Sequence, residues 1–235
     1  MQVVILAGGL GTRLRPLTDH LPKALVPVDG KPFLQHQLEW LAGAGVTQIL
    51  LCVHHRADQI EAFAKDGRDF GLRITYAHEG ERLLGTAGAL KRAAASVADR
   101  FCVLNGDSYL PMNLQEPIRE FTQRGCSAMM LAWHNQDRFD RSNAVVRDGW
   151  VIAYDRKSPG PDFEFIDYGL RIFRHEVLAL LPEEACCDLD GLYERLIAQQ
   201  RLAAYVVQEP FYEIGSPEGL ARFERYVKAS KGDRA

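Results

Sequence analysis

Apolar residues fall in short bursts along this chain, separated by polar breaks. Val3 to Leu6, Ile49 to Val53 and Phe101 to Leu104 are continuous apolar runs, and Leu72 to Ala77 is a mixed one. Such runs predict strands buried on both faces of a parallel sheet. Between them the period lengthens. Pro32 to about Ala44 puts Phe33, Leu34, Leu38 and Leu41 on one face, and Gly85 to Ala98 is Ala-rich with Leu90 turned inward; both predict helices. Ile60 and Phe63 mark a shorter helix, Leu114 to Arg124 another, and Ala128 to Trp133 a further strand. Alternating strands and helices to about residue 134 imply a sheet covered on both sides.

The rhythm then changes. Ala144 to Val146 and Trp150 to Tyr154 flank Asp148-Gly149, a strong hairpin signal, and Phe165 to Phe173 predicts another strand, so a small antiparallel flap is expected here. Helices at His175 to Leu181 and Leu189 to Gln199, a strand at Ala203 to Val207 and a closing helix from Pro217 to Ala229 complete the pattern, with Ser230 to Ala235 expected to fray. No repeat, low-complexity tract or Pro/Gly/Ser-rich linker divides the 235 residues. The expected fold is one α/β domain, a Rossmann-like three-layer arrangement with a mostly parallel central sheet.

Composition narrows the choice of partner. The chain is 47% hydrophobic and 25% charged, with a net charge of -3, so no basic excess points to nucleic acid or a membrane surface. No apolar run approaches membrane-spanning length and no leader pattern is present, which leads to an expected cytoplasmic location. The five cysteines show neither a C-x-x-C pair nor a zinc-like spacing, so reduced thiols are expected, with Cys52 and Cys102 in the core.

Candidate chemistry concentrates in residues 3–28, VVILAGGLGTRLRPLTDHLPKALVPV. A buried strand leads into Gly8, Gly9 and Gly11, whose missing side chains let backbone N–H groups approach an anion. Thr12 adds a hydroxyl, Arg13 a planar fork suited to phosphate oxygens, and Lys23 a compact point charge. A Walker A loop is excluded because Thr12-Arg13 stands where Lys-Ser/Thr is required. A dinucleotide fingerprint lacks its third glycine, since that position is Leu14, and Arg15-Pro16 interrupts the helix it should open.

The run from Leu6 to Val28 resembles the signature of the sugar-1-phosphate nucleotidyltransferases: an apolar strand, Gly-Gly-x-Gly-Thr-Arg-Leu, a Pro-Leu-Thr, Pro-Lys and Pro-Val. The resemblance implies transfer of a nucleotidyl group from a nucleoside triphosphate to a sugar 1-phosphate. Residues 1–134 would form the nucleotide-binding half, and residues 135–235 the sugar-binding half with its closing helix. Arg13 and Lys23 would be catalytic. Leu6, Ala7, Gly8, Gly9, Gly11, Thr12 and Arg13 would cradle the triphosphate, and Glu79, Gly85 and Thr86 would surround the base.

Asp107, at the end of the apolar strand Val103-Leu104-Asn105, either caps the Asn-Gly-Asp turn or, as the resemblance implies, holds Mg²⁺, a hard cation that needs only one or two protein carboxylates. The second metal carboxylate of the family is Asp. Here Glu213 stands there, either as ligand or as an acidic partner of the following helix. Asn105, Lys157, Asp167 and Gly169 match positions on the sugar-phosphate side, although Asp155-Arg156-Lys157 is equally readable as a solvated loop.

Glu79 accepts hydrogen bonds only, and guanine offers N1–H and N2–H side by side, which favours GTP over UTP, CTP or dTTP. A heptose or mannose acceptor is favoured, and N-acetylmuramate-1-phosphate enzymes are similar in length. Transfer to another phosphorylated sugar, transfer to an alcohol phosphate such as phosphocholine, and a non-catalytic sensor remain alternatives. Monomer and homodimer are both open.

Overall fold

A computed structural model describes residues 1–183 and 186–232. In chain order the strands are β1 (Gln2–Leu6), β2 (Pro27–Val28), β3 (Lys31–Pro32), β4 (Gln48–Val53), β5 (Arg73–His78), β6 (Arg100–Asn105), β7 (Ser108–Tyr109), β8 (Ala128–His134), β9 (Ala144–Arg147), β10 (Trp150–Tyr154), β11 (Phe165–Arg174), β12 (Leu202–Val207) and β13 (Tyr212–Glu213). The helices are α1 (Phe33–Gly43), α2 (Ala57–Ala64), α3 (Gly85–Arg92), α4 (Gln115–Arg124), α5 (Asp190–Ala198) and α6 (Pro217–Gly232).

Nine strands form one sheet in the order β5-β4-β1-β6-β11-β8-β12-β10-β9. The continuous apolar runs are explained by the two faces they serve. Val3, Ile5, Ile49, Leu51, Cys102 and Leu104 pack into one core with Leu34, Leu38 and Leu41 of α1, Ile60 of α2 and Phe121 of α4. Val4, Leu50, Cys52, Phe101 and Val103 pack into the other with Leu90 of α3 and Leu192 and Leu196 of α5. Each strand alternates between cores with the two-residue period of the pleat, so nearly every position is apolar.

β5, β4, β1, β6, β8 and β12 run the same way, and β11 runs against both of its neighbours, β6 and β8. The expected flap is attached at the edge of this sheet: β9 and β10 pair antiparallel, Trp150 sits opposite Ala203 of β12, and Phe165 of β11 reaches Ala144 of β9. Asp148 and Gly149 both have positive φ, as the tight hairpin turn requires. The register of β11 shifts between Asp167 and Arg171 around Gly169, whose φ is 89°. A Cβ there would lie 2.7 Å from Ser108 Oγ, so glycine serves both the bend and the close approach.

Three helix expectations differ in detail. The segment expected helical from Gly85 to Ala98 gives α3 only to Arg92, followed by a 3-10 turn at Ala94–Ser96, because the chain must turn there to enter β6. His175–Leu180 is a 3-10 helix. α6 continues past Ala229 to Gly232, and residues 233–235 lie outside the described residues.

A third, smaller core lies under α6. Phe223 and Val227 pack on Leu14, Val26, Val28, Phe33 and Ile214, with Tyr109, Tyr212 and Tyr226 at its edge. It fixes the two-stranded ribbon of β7 and β13 beside the carboxyl end of β6.

Candidate active site

Strand order reverses at β1: β4 and β5 follow on one side and β6 on the other. In open α/β sheets the crevice beyond such a reversal is where ligands bind. A cleft of about 310 Å³ opens there, lined from the β1 loop (Leu6 to Gly9), from β6 and its turn (Asn105 to Asp107), from α3 and from the start of α5.

Close packing builds its floor. Gly106 donates its N–H to the Leu6 carbonyl at 3.1 Å, and a Cβ at that position would collide with the same oxygen and lie 2.9 Å from Ala7 Cα. Gly11, with φ at 65°, turns the β1 loop, and Thr18 Oγ1 donates to its carbonyl at 2.8 Å. A Cβ on Gly8 would collide with Glu79 Oε1, whereas around Gly9 there is open space. Two of the three loop glycines therefore serve packing, and Gly9 leaves room above the loop.

Lys23 Nζ lies 2.5 Å from Asp107 Oδ2. Burial alone would raise the Asp107 carboxyl. The positive charge of Lys23, hydrogen bonds from Lys23 and Ser108, and the charge of Arg13 outweigh it and hold the carboxyl below its usual range. Gln37, fully buried on α1, donates to the carbonyls of Asn105 at 3.0 Å and Ser108 at 2.7 Å and so pins the turn that presents Asp107.

Glu213 pairs with Ser108 across the ribbon, and Ile214 N donates to the Asp107 carbonyl at 3.0 Å, so the backbones bearing the two carboxylates are adjacent. The Glu213 side chain turns toward α6: it accepts from Gly215 N and, at 3.1 Å, from Ser216 Oγ. A Cβ on Gly215 would collide with Glu213 Oε2 and lie 2.7 Å from Arg13 Nη2 and 3.3 Å from Lys23 Nζ. Arg13, Lys23 and Glu213 thus converge on one point beside Asp107. Among the described residues no group of three or more His, Cys, Asp or Glu side chains is arranged to hold a metal.

Glu79 directly follows β5 and lines the cleft. Its Oε2 accepts from Leu84 N at 2.8 Å, and burial pushes its carboxyl up. Gly85, with φ at 74°, is approached by backbone of the chain itself: a Cβ would lie 2.5 Å from the Cys187 carbonyl oxygen, which also accepts from Ala87 N and Gly88 N. Thr86 donates its N–H and its hydroxyl to Asp188 Oδ1, each at 3.1 Å.

On the far side, Asp167 is buried and paired with Arg171, whose Nη1 also donates to Asn105 Oδ1 at 2.6 Å. Asp167 Oδ1 accepts from Gly169 N at 3.0 Å, which stabilises the bend in β11. Lys157 is exposed and outside the cleft lining, and its N–H belongs to a local turn onto Asp155 Oδ1 at 2.7 Å. The neighbouring Arg156 enters the cleft instead, 3.3 Å from Asp190 Oδ2. Gln37, Gly106, Arg156, Arg171 and Asp190 escaped the sequence reading. A visible cue existed for one of them: Arg171 is a charge inside an apolar strand, four residues after Asp167.

A doubly wound sheet with a glycine loop, a cation and a carboxylate at its reversal point defines a nucleotide-handling α/β protein. The chain belongs to the nucleotidyl transferase family, whose model matches residues 2–227. It is 32% identical over 229 residues to a UTP--glucose-1-phosphate uridylyltransferase of Synechocystis sp., covering 90% of this chain but only 58% of that protein's length. It is 29% identical to a D-glycero-alpha-D-manno-heptose 1-phosphate guanylyltransferase of Campylobacter jejuni, covering 95% of this chain and 98% of the relative. Among solved structures, HddC from Yersinia pseudotuberculosis, complexed with GMP-PN, superimposes with a TM-score of 0.79 at 26% identity, covering 96% of this chain and 99% of that one.

Proposed function

We propose that the protein transfers a nucleotidyl group from a nucleoside triphosphate, GTP being favoured, to a sugar 1-phosphate of heptose or mannose type, giving a nucleotide-sugar and pyrophosphate. The observation that carries this reading is the pairing of Lys23 with Asp107 beyond β1 and β6, in the same cleft as Glu79, with Arg13 beside Lys23 at Gly215. A phosphate oxygen of the acceptor attacks the α-phosphorus, the bond to the β-phosphate oxygen breaks, and pyrophosphate leaves with the electron pair. Such transfers depend on positioning and on neutralising charge as it develops.

Lys23 suits the charge nearest the reacting phosphorus and Arg13 the β and γ phosphates, with the loop from Leu6 to Thr12 supplying backbone donors. Thr86 and Gly85 shape the base side through their contacts with the Cys187-Asp188 segment. Asn105, oriented by Arg171, leaves its amide nitrogen for the acceptor phosphate, and Arg156 takes the cationic place that spacing suggested for Lys157. Asp167 and Gly169 support this wall from behind.

The donor set fits Mg²⁺: Asp107, just before β7, and Glu213, on β13, offer hard oxygens from adjacent backbone, and phosphates and water complete such a shell. Bound there, the ion would neutralise triphosphate charge. The substrates and activity imply the cytoplasm, where nucleoside triphosphates are made. Against a choline-type acceptor stand Arg156 and Arg171 in the cleft lining, since a quaternary ammonium seeks aromatic faces free of other cations.

The test is a pyrophosphate-release screen of GTP, UTP, CTP, dTTP and ATP against mannose, glucose and heptose 1-phosphates, with Mg²⁺ and with a chelator. GTP with a mannose-type acceptor is expected to be fastest, and only with the metal present. No pyrophosphate from any pair would overturn the reading in favour of a sensor.

A further inference from the structure

Within the cleft lining, the loop after β10 and the start of α5 meet through charged side chains. Arg156, two residues past β10, lies with its Nε 3.3 Å from Asp190 Oδ2 and its Nη2 3.8 Å from Asp188 Oδ2. Asp188 is already committed: its other oxygen accepts both donors of Thr86. Asp190, on the first turn of α5, is different. Its side chain is 30% exposed, it lines the cleft, and its Oδ1 carries no hydrogen bond to any described residue.

Behind this pair lie Tyr154 and Tyr193, edge to face at 4.9 Å between ring centroids, and both line the cleft. The Tyr193 hydroxyl and Arg171 Nε are buried without a hydrogen-bond partner, although Arg171 is otherwise engaged by Asp167 and Asn105. Buried polar atoms in native proteins are nearly always satisfied by protein, water or ligand.

We propose that Asp190, steered by Arg156, reads adjacent hydroxyl groups on the ring of the acceptor and decides which sugar 1-phosphate is used. This rests on the nucleotidyl-transfer reading above. A carboxylate accepts from a hydroxyl while a neighbouring guanidinium donates to the same or the next oxygen, so the pair matches a vicinal diol. The half-buried ring of Tyr154 offers an apolar wall to the carbon face of a pyranose, and the buried Tyr193 packs against it from behind. Arg156 answers Asp190 and Asp188 and Arg171 answers Asp167, so this part of the cleft suits a neutral polyhydroxylated ring better than an acidic sugar.

The role is one of selection, and it should separate KM from kcat. Asp190→Asn keeps the size of the side chain and removes its charge. With the best triphosphate and acceptor from the release screen, the variant should show KM for the sugar 1-phosphate raised about tenfold or more, while kcat and KM for the triphosphate stay within about threefold. Monodeoxy analogues of that sugar 1-phosphate locate the contact. Wild type should discriminate against the analogue lacking a read hydroxyl by about tenfold or more, and Asp190→Asn should lose that discrimination. Asp190→Glu should restore part of it.

If Asp190→Asn discriminates among the deoxy analogues as wild type does, the assignment is overturned while nucleotidyl transfer stands. If wild type neither turns over nor binds any sugar 1-phosphate by calorimetry, with inorganic phosphate and phosphocholine as comparison ligands, the functional reading fails and takes the diol contact with it.

Discussion

Lys23 carries more of the proposed chemistry than any other side chain. Its ammonium pairs with Asp107 and is the cation nearest the proposed reacting phosphorus. Lys23→Ala should lower turnover by about 100-fold or more, the usual loss for a charge-stabilising group, without unfolding the protein. Wild-type pyrophosphate release by the variant would refute the assignment. Glu79 gives a second test, through pH. Burial raises its carboxyl, so the fold favours the neutral acid. The stability this group contributes is fully present below the ordinary glutamate pKa and is lost as pH rises through the raised value. Glu79→Gln removes that dependence, so its melting temperature should gain on wild type between pH 4 and pH 8. If Glu79 also reads guanine, the variant should lose about tenfold or more of its preference for GTP over UTP.

The turn after β6 shows how a short element constrains the site. Gly106→Ala puts a methyl group against the Leu6 carbonyl and Ala7 Cα, so β1 and β6 must part at their carboxyl ends. We expect a loss of roughly 2 kcal/mol in chemical denaturation together with a marked loss of activity, because the collision falls between the glycine loop and Asp107. The strand ending at Asn105 and the turn after it were readable in sequence, since apolar runs and an Asn-Gly step are local signals. The role of Gln37 was not readable. It sits among apolar helix positions, and its two carbonyl partners lie 68 and 71 residues away. Arg156 and Lys157 illustrate the same boundary. Both are cations in one loop, and only the turn made by Asp155 decides which of them enters the cleft. Spacing identifies a loop with a positive charge; three-dimensional closure selects the residue. Glu213 was legible as either ligand or helix partner, and its oxygens are engaged by Gly215 and Ser216 just before α6.

The molecule places its site where three cores meet, and the smallest of them holds α6 and the β7–β13 ribbon together. Phe223 is fully buried there, edge to face with Phe33 at 5.3 Å between centroids and 4.8 Å from the Tyr109 ring. Phe223→Ala should cost about 3–5 kcal/mol of unfolding free energy, and activity should fall before the rest of the fold is lost because Asp107 and Glu213 depend on the ribbon. Circular dichroism and pyrophosphate release followed over one temperature ramp would separate the two losses.

No helix among the described residues is long and apolar enough to cross a membrane. The antiparallel placement of β11 between β6 and β8 has a consequence for synthesis. The first four strands of the sheet are complete by residue 105, yet β6 has no neighbour on its other side until residues 165–174 exist. During translation the nascent chain therefore carries an open, apolar strand edge for about 60 residues of elongation, several seconds at ordinary ribosome speeds. That interval is when an edge can pair with the wrong strand, and it is where this protein would depend most on chaperones.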